Sequence, residues 1–126
     1  MKIIVFSWAL LMFAALLDSY ASFIFKMKFN ELGHFDFSSS QKLLNYIAQL
    51  VKSPILLTAV GTFCLAPFLW FVALNRIDLS VGYPALVGFH LIFIMAFGVL
   101  LLGETFTVQK MIGLILVILS FYFLYE

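Results

Sequence analysis

The 126 residues carry 10% charged and 65% hydrophobic side chains and a net charge of +1, where soluble domains carry roughly 25% charged residues. Mean hydropathy is +1.17. This composition excludes a soluble domain and the basic surface that nucleic acid requires. Cys64 is the one cysteine, so neither a disulfide framework nor a thiolate metal site is available within one chain. Four long apolar stretches fill the chain and leave no room for a soluble catalytic domain. The expected architecture is all-α and integral to the membrane: a single four-transmembrane-helix bundle over residues 1–126, with an amphipathic interfacial helix between helices 1 and 2.

The first predicted span runs from Ile3 to Phe25, about 35 Å at about 1.5 Å per residue. A secretory signal has a shorter apolar region, so a retained span is expected. Asp18 interrupts it within "ALLDSYASFIFK". An aspartate at the centre of a membrane helix costs about 2.5–3.5 kcal/mol on insertion scales, so it is expected to face the bundle interior or a wet cavity and to serve function. The structural alternative is a protonated Asp18 that bonds a neighbouring helix. Ser7, Leu11, Ala14, Asp18, Ser22 and Phe25 follow one stripe, whose small and polar members permit close approach of a helix or ligand.

The first connection is about 28 residues long. His34 and Asp36 within it are two metal-ligating residue types, too few for a metal site. Over 40–52, Leu43, Leu44, Ile47, Leu50 and Val51 recur at helical spacing with polar residues on the rest of the wheel. That pattern predicts a helix lying in the membrane interface or packed on the end of the bundle. Its Lys42 and Lys52 are candidate contacts for anionic headgroups.

The second span, 55–74, starts at Ser53, a candidate cap, and Pro54 in the first turn. Cys64 reads as a small core residue, and Pro67 and Pro84 are expected to kink or loosen their helices. "NRIDLS" and "GETFT" are tight turns, so the spans 55–74, 81–102 and 108–125 run up, down and up. In the third span Tyr83, Val87 and His90 share a stripe. Tyr83 and His90 are its only polar side chains and the natural partners for Asp18, although a hydrogen-bonded core histidine fits as well. In the fourth span Gly113 and Ser120 lie two turns apart on one face, a surface for a dimer partner. Lys26, Lys28, Lys42, Lys52 and Lys110 flank the first and third connections, against Lys2 and Arg76 on the other side, which places those connections in the cytoplasm.

No phosphate loop, paired catalytic carboxylates or Ser-His-Asp set appears, so neither an enzyme nor a cofactor is expected. Taken together, "FLWFVALNRIDLSVGYPALVG" and "LLLGETFTVQKMIGLILVILSFYFL" resemble the drug/metabolite transporter superfamily, its four-helix members and the EamA-type repeat. The likeness covers roughly residues 54 to 125. Asp18 and Lys26 reproduce the carboxylate-to-lysine spacing of the small multidrug resistance branch, with aspartate where that branch has glutamate. Tyr83 also matches that branch, while Leu86 stands where it has a tryptophan that lines its cation site. Gly82-Tyr83-Pro84 and the four-helix layout are instead similar to subunits proposed to flip aminoarabinose-phosphoundecaprenol.

The resemblance implies a multi-pass protein of a bacterial-type inner membrane, paired as a homodimer or with a homologous four-helix chain. It implies first a flippase of a polyprenyl-linked sugar or related lipid, working by alternating access. Proton-coupled export of a small organic cation through Asp18 comes second, and a non-transporting accessory subunit third. The candidate substrate- and proton-binding set is Asp18, Ser22, Trp70, Tyr83 and His90.

Overall fold

The computed structural model describes residues 2–34 and 37–125. Among these residues the chain is all-helical: α1 (Lys2–Leu32), α2 (Ser40–Val51), α3 (Pro54–Leu74), α4 (Leu79–Leu101) and α5 (Val108–Tyr125). Three helices, α1, α3 and α4, are long and apolar enough to cross a membrane, and α5 is a shorter apolar helix.

Helix α1 extends past the predicted end at Phe25 because the polar residues that follow do not break a helix. Lys, Met, Glu and Leu are good helix formers, and Lys28 pairs with Glu31 at 2.6 Å across one turn. The helix stops before Gly33, whose N–H bonds the Phe29 carbonyl at 3.0 Å. Its 31 residues reach about 46 Å, beyond the roughly 30 Å of a hydrocarbon core. The end carrying Lys26 and Lys28 therefore extends toward headgroup depth.

Helix α1 is the centre of the bundle, packed against both α3 and α4, which meet each other at few points. Small residues permit this. Ala14, Ala15, Ser19 and Ala21 of α1, Ala59 and Ala73 of α3 and Ala85 of α4 are all buried, so the backbones approach closely. One cluster joins Ala21 and Ile24 to Leu50, Leu56 and Ala59, and another joins Leu11, Ala73 and Ala85. Tyr20 also bonds Thr58 between α1 and α3 at 3.0 Å.

Helix α2 docks through Leu50 and Tyr46, while Leu44, Ile47 and Val51 of its apolar face stay exposed. Helix α5 lies on α4 through Leu114, Val117 and Phe121, and its remaining described apolar side chains point outward. At the α3–α4 turn, a Cβ on Gly82 would come within 2.5 Å of Leu74 Cδ2 and 3.2 Å of Ile77 Cγ2. Glycine gives these two side chains room at the turn.

Two local expectations need correction. Ser53 occupies the cap position of α3, but its hydroxyl makes no cap hydrogen bond; its carbonyl accepts from Leu56 and Leu57 instead. Cys64 is exposed, because α1 covers the face of α3 that carries Ala59, Ala66 and Ala73. Pro67 and Pro84 lie inside α3 and α4 without ending either helix. Each removes one backbone donor and leaves the carbonyl four residues earlier without its usual partner.

Candidate functional site

Asp18 projects from the middle of α1 toward α4, and its Oδ2 lies 3.1 Å from His90 Nδ1. Ser19, the next residue, is fully buried, and its Oγ is also 3.1 Å from His90 Nδ1. The Ser19 hydroxyl has one proton. It donates along the 2.7 Å bond to the Ala15 carbonyl, shorter than its 3.4 Å approach to the His90 carbonyl. Two acceptors, the Asp18 carboxylate and the Ser19 oxygen, therefore face Nδ1. This environment favours the tautomer protonated at Nδ1, which directs a ring N–H at Asp18.

The Asp18 side chain keeps 38% of its surface and His90 keeps 27%, so the carboxylate is anchored on one side and open on the other. The open side meets a cavity of about 270 Å³ whose lining includes Asp18, Phe63, Pro67, Trp70, Tyr83 and Leu86. It is a groove between α3 and α4, floored by α1. Trp70 and Tyr83 face each other across it with ring centroids 6.2 Å apart and planes inclined by 58°. Pro67 cannot donate to the Phe63 carbonyl one turn earlier, which leaves a hydrogen-bond acceptor in the wall formed by those two residues. An anion, aromatic faces and apolar walls in one groove are the chemistry that holds an organic ammonium group.

Asp18, Trp70 and Tyr83 thus share a cavity, and His90 touches Asp18 from behind. Tyr83 lines the groove with Asp18 but makes no hydrogen bond to it among the described residues; His90 is the direct partner. Ser22 lies elsewhere. It lines a second cavity of about 410 Å³ with Lys26, Glu104 and Lys110 on the α4–α5 side of α1.

Lys42 and Lys52 are exposed on α2 and at its C-terminal cap. Gly113 and Ser120 are exposed on α5, the Ser120 hydroxyl donating to the Val117 carbonyl at 2.8 Å. His34 is described and exposed, while Asp36 lies outside the described residues. Among the described residues no group of three His, Cys, Asp or Glu side chains converges on a metal position.

Sequence reasoning missed Ser19 as a site residue. Its available signal was the small-residue run Ala14, Ala15, Ser19 and Ala21, which marks where neighbouring helices approach α1. It also missed Lys26, Glu104 and Lys110 as a group, since only the packing of α1 beside the α4–α5 turn brings them together.

No curated protein and no solved structure matches the chain. The EamA-like transporter family matches it over residues 1–126, the whole length and not only the stretch whose motifs carry the resemblance. The chain therefore belongs to the EamA-like transporter family and is a multi-pass membrane transporter of the drug/metabolite superfamily.

Proposed function

We propose that this transporter carries a small organic cation, or a solute bearing a protonated amine, and holds it in the groove over Asp18. The observation that carries the reading is the meeting of the Asp18 carboxylate with the rings of Trp70 and Tyr83 in one cavity. Leu86 removes the tryptophan of the multidrug branch from α4, but Trp70 supplies an aromatic face to the same groove from α3. Charge attraction from Asp18 and cation–π contact with the rings act on one ligand group.

His90 holds Asp18 in place and offers it a proton donor when no cation is bound. In this cycle a proton and the cation compete for Asp18. Alternating access then moves the loaded groove from one membrane face to the other.

The groove is half enclosed, and Tyr83 at its edge is 54% exposed. A carboxylate opening toward hydrocarbon is costly, which supports a paired arrangement in which a second copy, or a homologous chain, closes the open side. The fourth span is then α5, and α2 lies in the interface with its exposed Leu44, Ile47 and Val51 edge in lipid.

The open side of the groove also suits a second reading, transport of an amine-bearing lipid-linked sugar whose chain stays in the bilayer while its headgroup enters the groove. The two readings separate in proteoliposomes. Uptake of soluble quaternary or primary amines driven by an imposed pH gradient supports the first, and headgroup translocation that needs no gradient supports the second. Wild-type transport of both substrate classes by Asp18→Asn overturns both.

A further inference from the structure

We propose that the second cavity, at the lysine-rich end of the bundle, is a binding site for the phosphodiester headgroup of a membrane lipid, separate from the Asp18 groove. Lys26 from α1, Glu104 from the α4–α5 turn and Lys110 from the first turn of α5 line its cavity of about 410 Å³, together with Ser22 and an apolar wall that includes Phe23 and Phe97. The two rings stand 5.6 Å apart.

Glu104 is seated deliberately close to α4. Its N–H bonds the Gly98 carbonyl at 2.9 Å, and a Cβ on Gly98 would lie 2.9 Å from Glu104 Oε2. The absence of a side chain at Gly98 leaves room for the carboxylate in this position. Lys110 Nζ gives one hydrogen bond to the Thr105 carbonyl at 2.9 Å and has two further N–H groups to offer. Among the described residues neither Lys26 nor Lys110 forms an ion pair with Glu104, and Lys28 pairs with Glu31.

Two ammonium groups and one carboxylate leave the cavity one positive charge in excess, the complement of a single phosphodiester. Lys26 lies about 12 Å beyond Asp18 along α1, toward the end where the helix turns polar, so the cavity sits at headgroup depth with its apolar wall leading back along the span. A phosphate bridging Lys26 and Lys110 leaves Glu104 to accept from the rest of the headgroup. An ethanolamine ammonium or a glycerol hydroxyl has a proton to give, whereas choline has none. The site therefore prefers phosphatidylethanolamine and phosphatidylglycerol over phosphatidylcholine. Lysines that merely snorkel to the interface attract anionic lipid without such selection.

The test is native mass spectrometry of the purified full chain titrated with each of these three lipids and, separately, with inorganic phosphate. One lipid per chain is expected, with the stated preference. Lys26→Gln and Lys110→Gln each weaken binding about fivefold, and Glu104→Gln removes the discrimination against phosphatidylcholine. Lys2→Gln at the opposite end leaves lipid binding unchanged.

The proposal is overturned if the two lysine variants bind lipid like wild type, or if Lys2→Gln weakens binding equally. It is also overturned if millimolar inorganic phosphate displaces the lipid, which assigns the cavity to a free anion. Circular dichroism checks helix content in every variant, and the Glu104→Gln selectivity change decides the matter even where a lysine variant fails to fold.

Discussion

His90 Nδ1 stands 3.1 Å from both Asp18 Oδ2 and Ser19 Oγ, so two consecutive residues of α1 converge on one ring nitrogen of α4. Asp18→Asn keeps the size of the side chain and removes its charge. The expected result is loss of transport in proteoliposomes with helix content and oligomeric state unchanged. His90→Gln retains a hydrogen-bonding side chain without the ring that meets Asp18 and Ser19, and partial transport is expected. Transport identical to wild type would make His90 a packing residue only.

Ser19 meets His90 and does not line the groove. Ser19→Ala removes an acceptor beside Nδ1 and should cost no more than about 1.5 kcal/mol of stability, because the small side chain still fits the buried position. Its specific signature is in the ring: nitrogen NMR of labelled His90 should show a larger population of the tautomer protonated at Nε2. An unchanged tautomer balance would assign orientation of the ring to Asp18 alone.

Cation–π attraction is worth about 0.5–2 kcal/mol, so Trp70→Ala should weaken binding of a quaternary ammonium probe by roughly 2- to 30-fold. Trp70→Phe should recover part of the loss. Isothermal titration with the detergent-purified protein reads both. Equal affinity for Trp70→Ala and wild type would remove the aromatic wall from the recognition argument.

The parts of this molecule that were legible in its sequence are those that one helix encodes by itself. The apolar runs mark α1, α3, α4 and α5, and a carboxylate inside such a run draws attention to Asp18 without any knowledge of its neighbours. Helix α2 announces itself by spacing, from Leu43 to Val51. What stayed hidden depends on how helices cross. Ser19 bonds the Ala15 carbonyl as many helical serines do, and only the approach of α4 gives its oxygen a second task. Cys64 has the composition of a core residue, but its side of α3 is the one α1 leaves uncovered. The end of α1 was misjudged for a different reason: an apolar window stops at Phe25, while the backbone stops only where Gly33 follows.

The α3–α4 turn yields a packing prediction. Gly82→Ala places a methyl group against Leu74 and Ile77, and overpacking of this kind costs about 1–3 kcal/mol. The lower end is expected, because the nearest atom is the mobile tip of Leu74. The double variant Gly82→Ala with Leu74→Ala should be less destabilised than the two single effects added together. Thermal unfolding in detergent measures the cycle, and strict additivity would mean that the turn relaxes elsewhere.

The open side of the Asp18 groove leads to the last prediction. A lone chain exposes over a third of the Asp18 side chain beside Phe63 and Tyr83, a poor surface to present to hydrocarbon. Pairing across this face buries the carboxylate, and Gly113 and Ser120 on α5 offer a second contact where helices can approach closely. Tyr83→Cys in a Cys64→Ser background should cross-link between copies in native membranes, and co-expression of Asp18→Asn with wild type should depress transport by more than the share of variant chains. Single chains isolated in nanodiscs that transport at the wild-type rate would defeat the pairing. Cross-linking to a different four-helix protein, with none between identical copies, would replace the second copy by a homologous partner and leave the role of Asp18 intact.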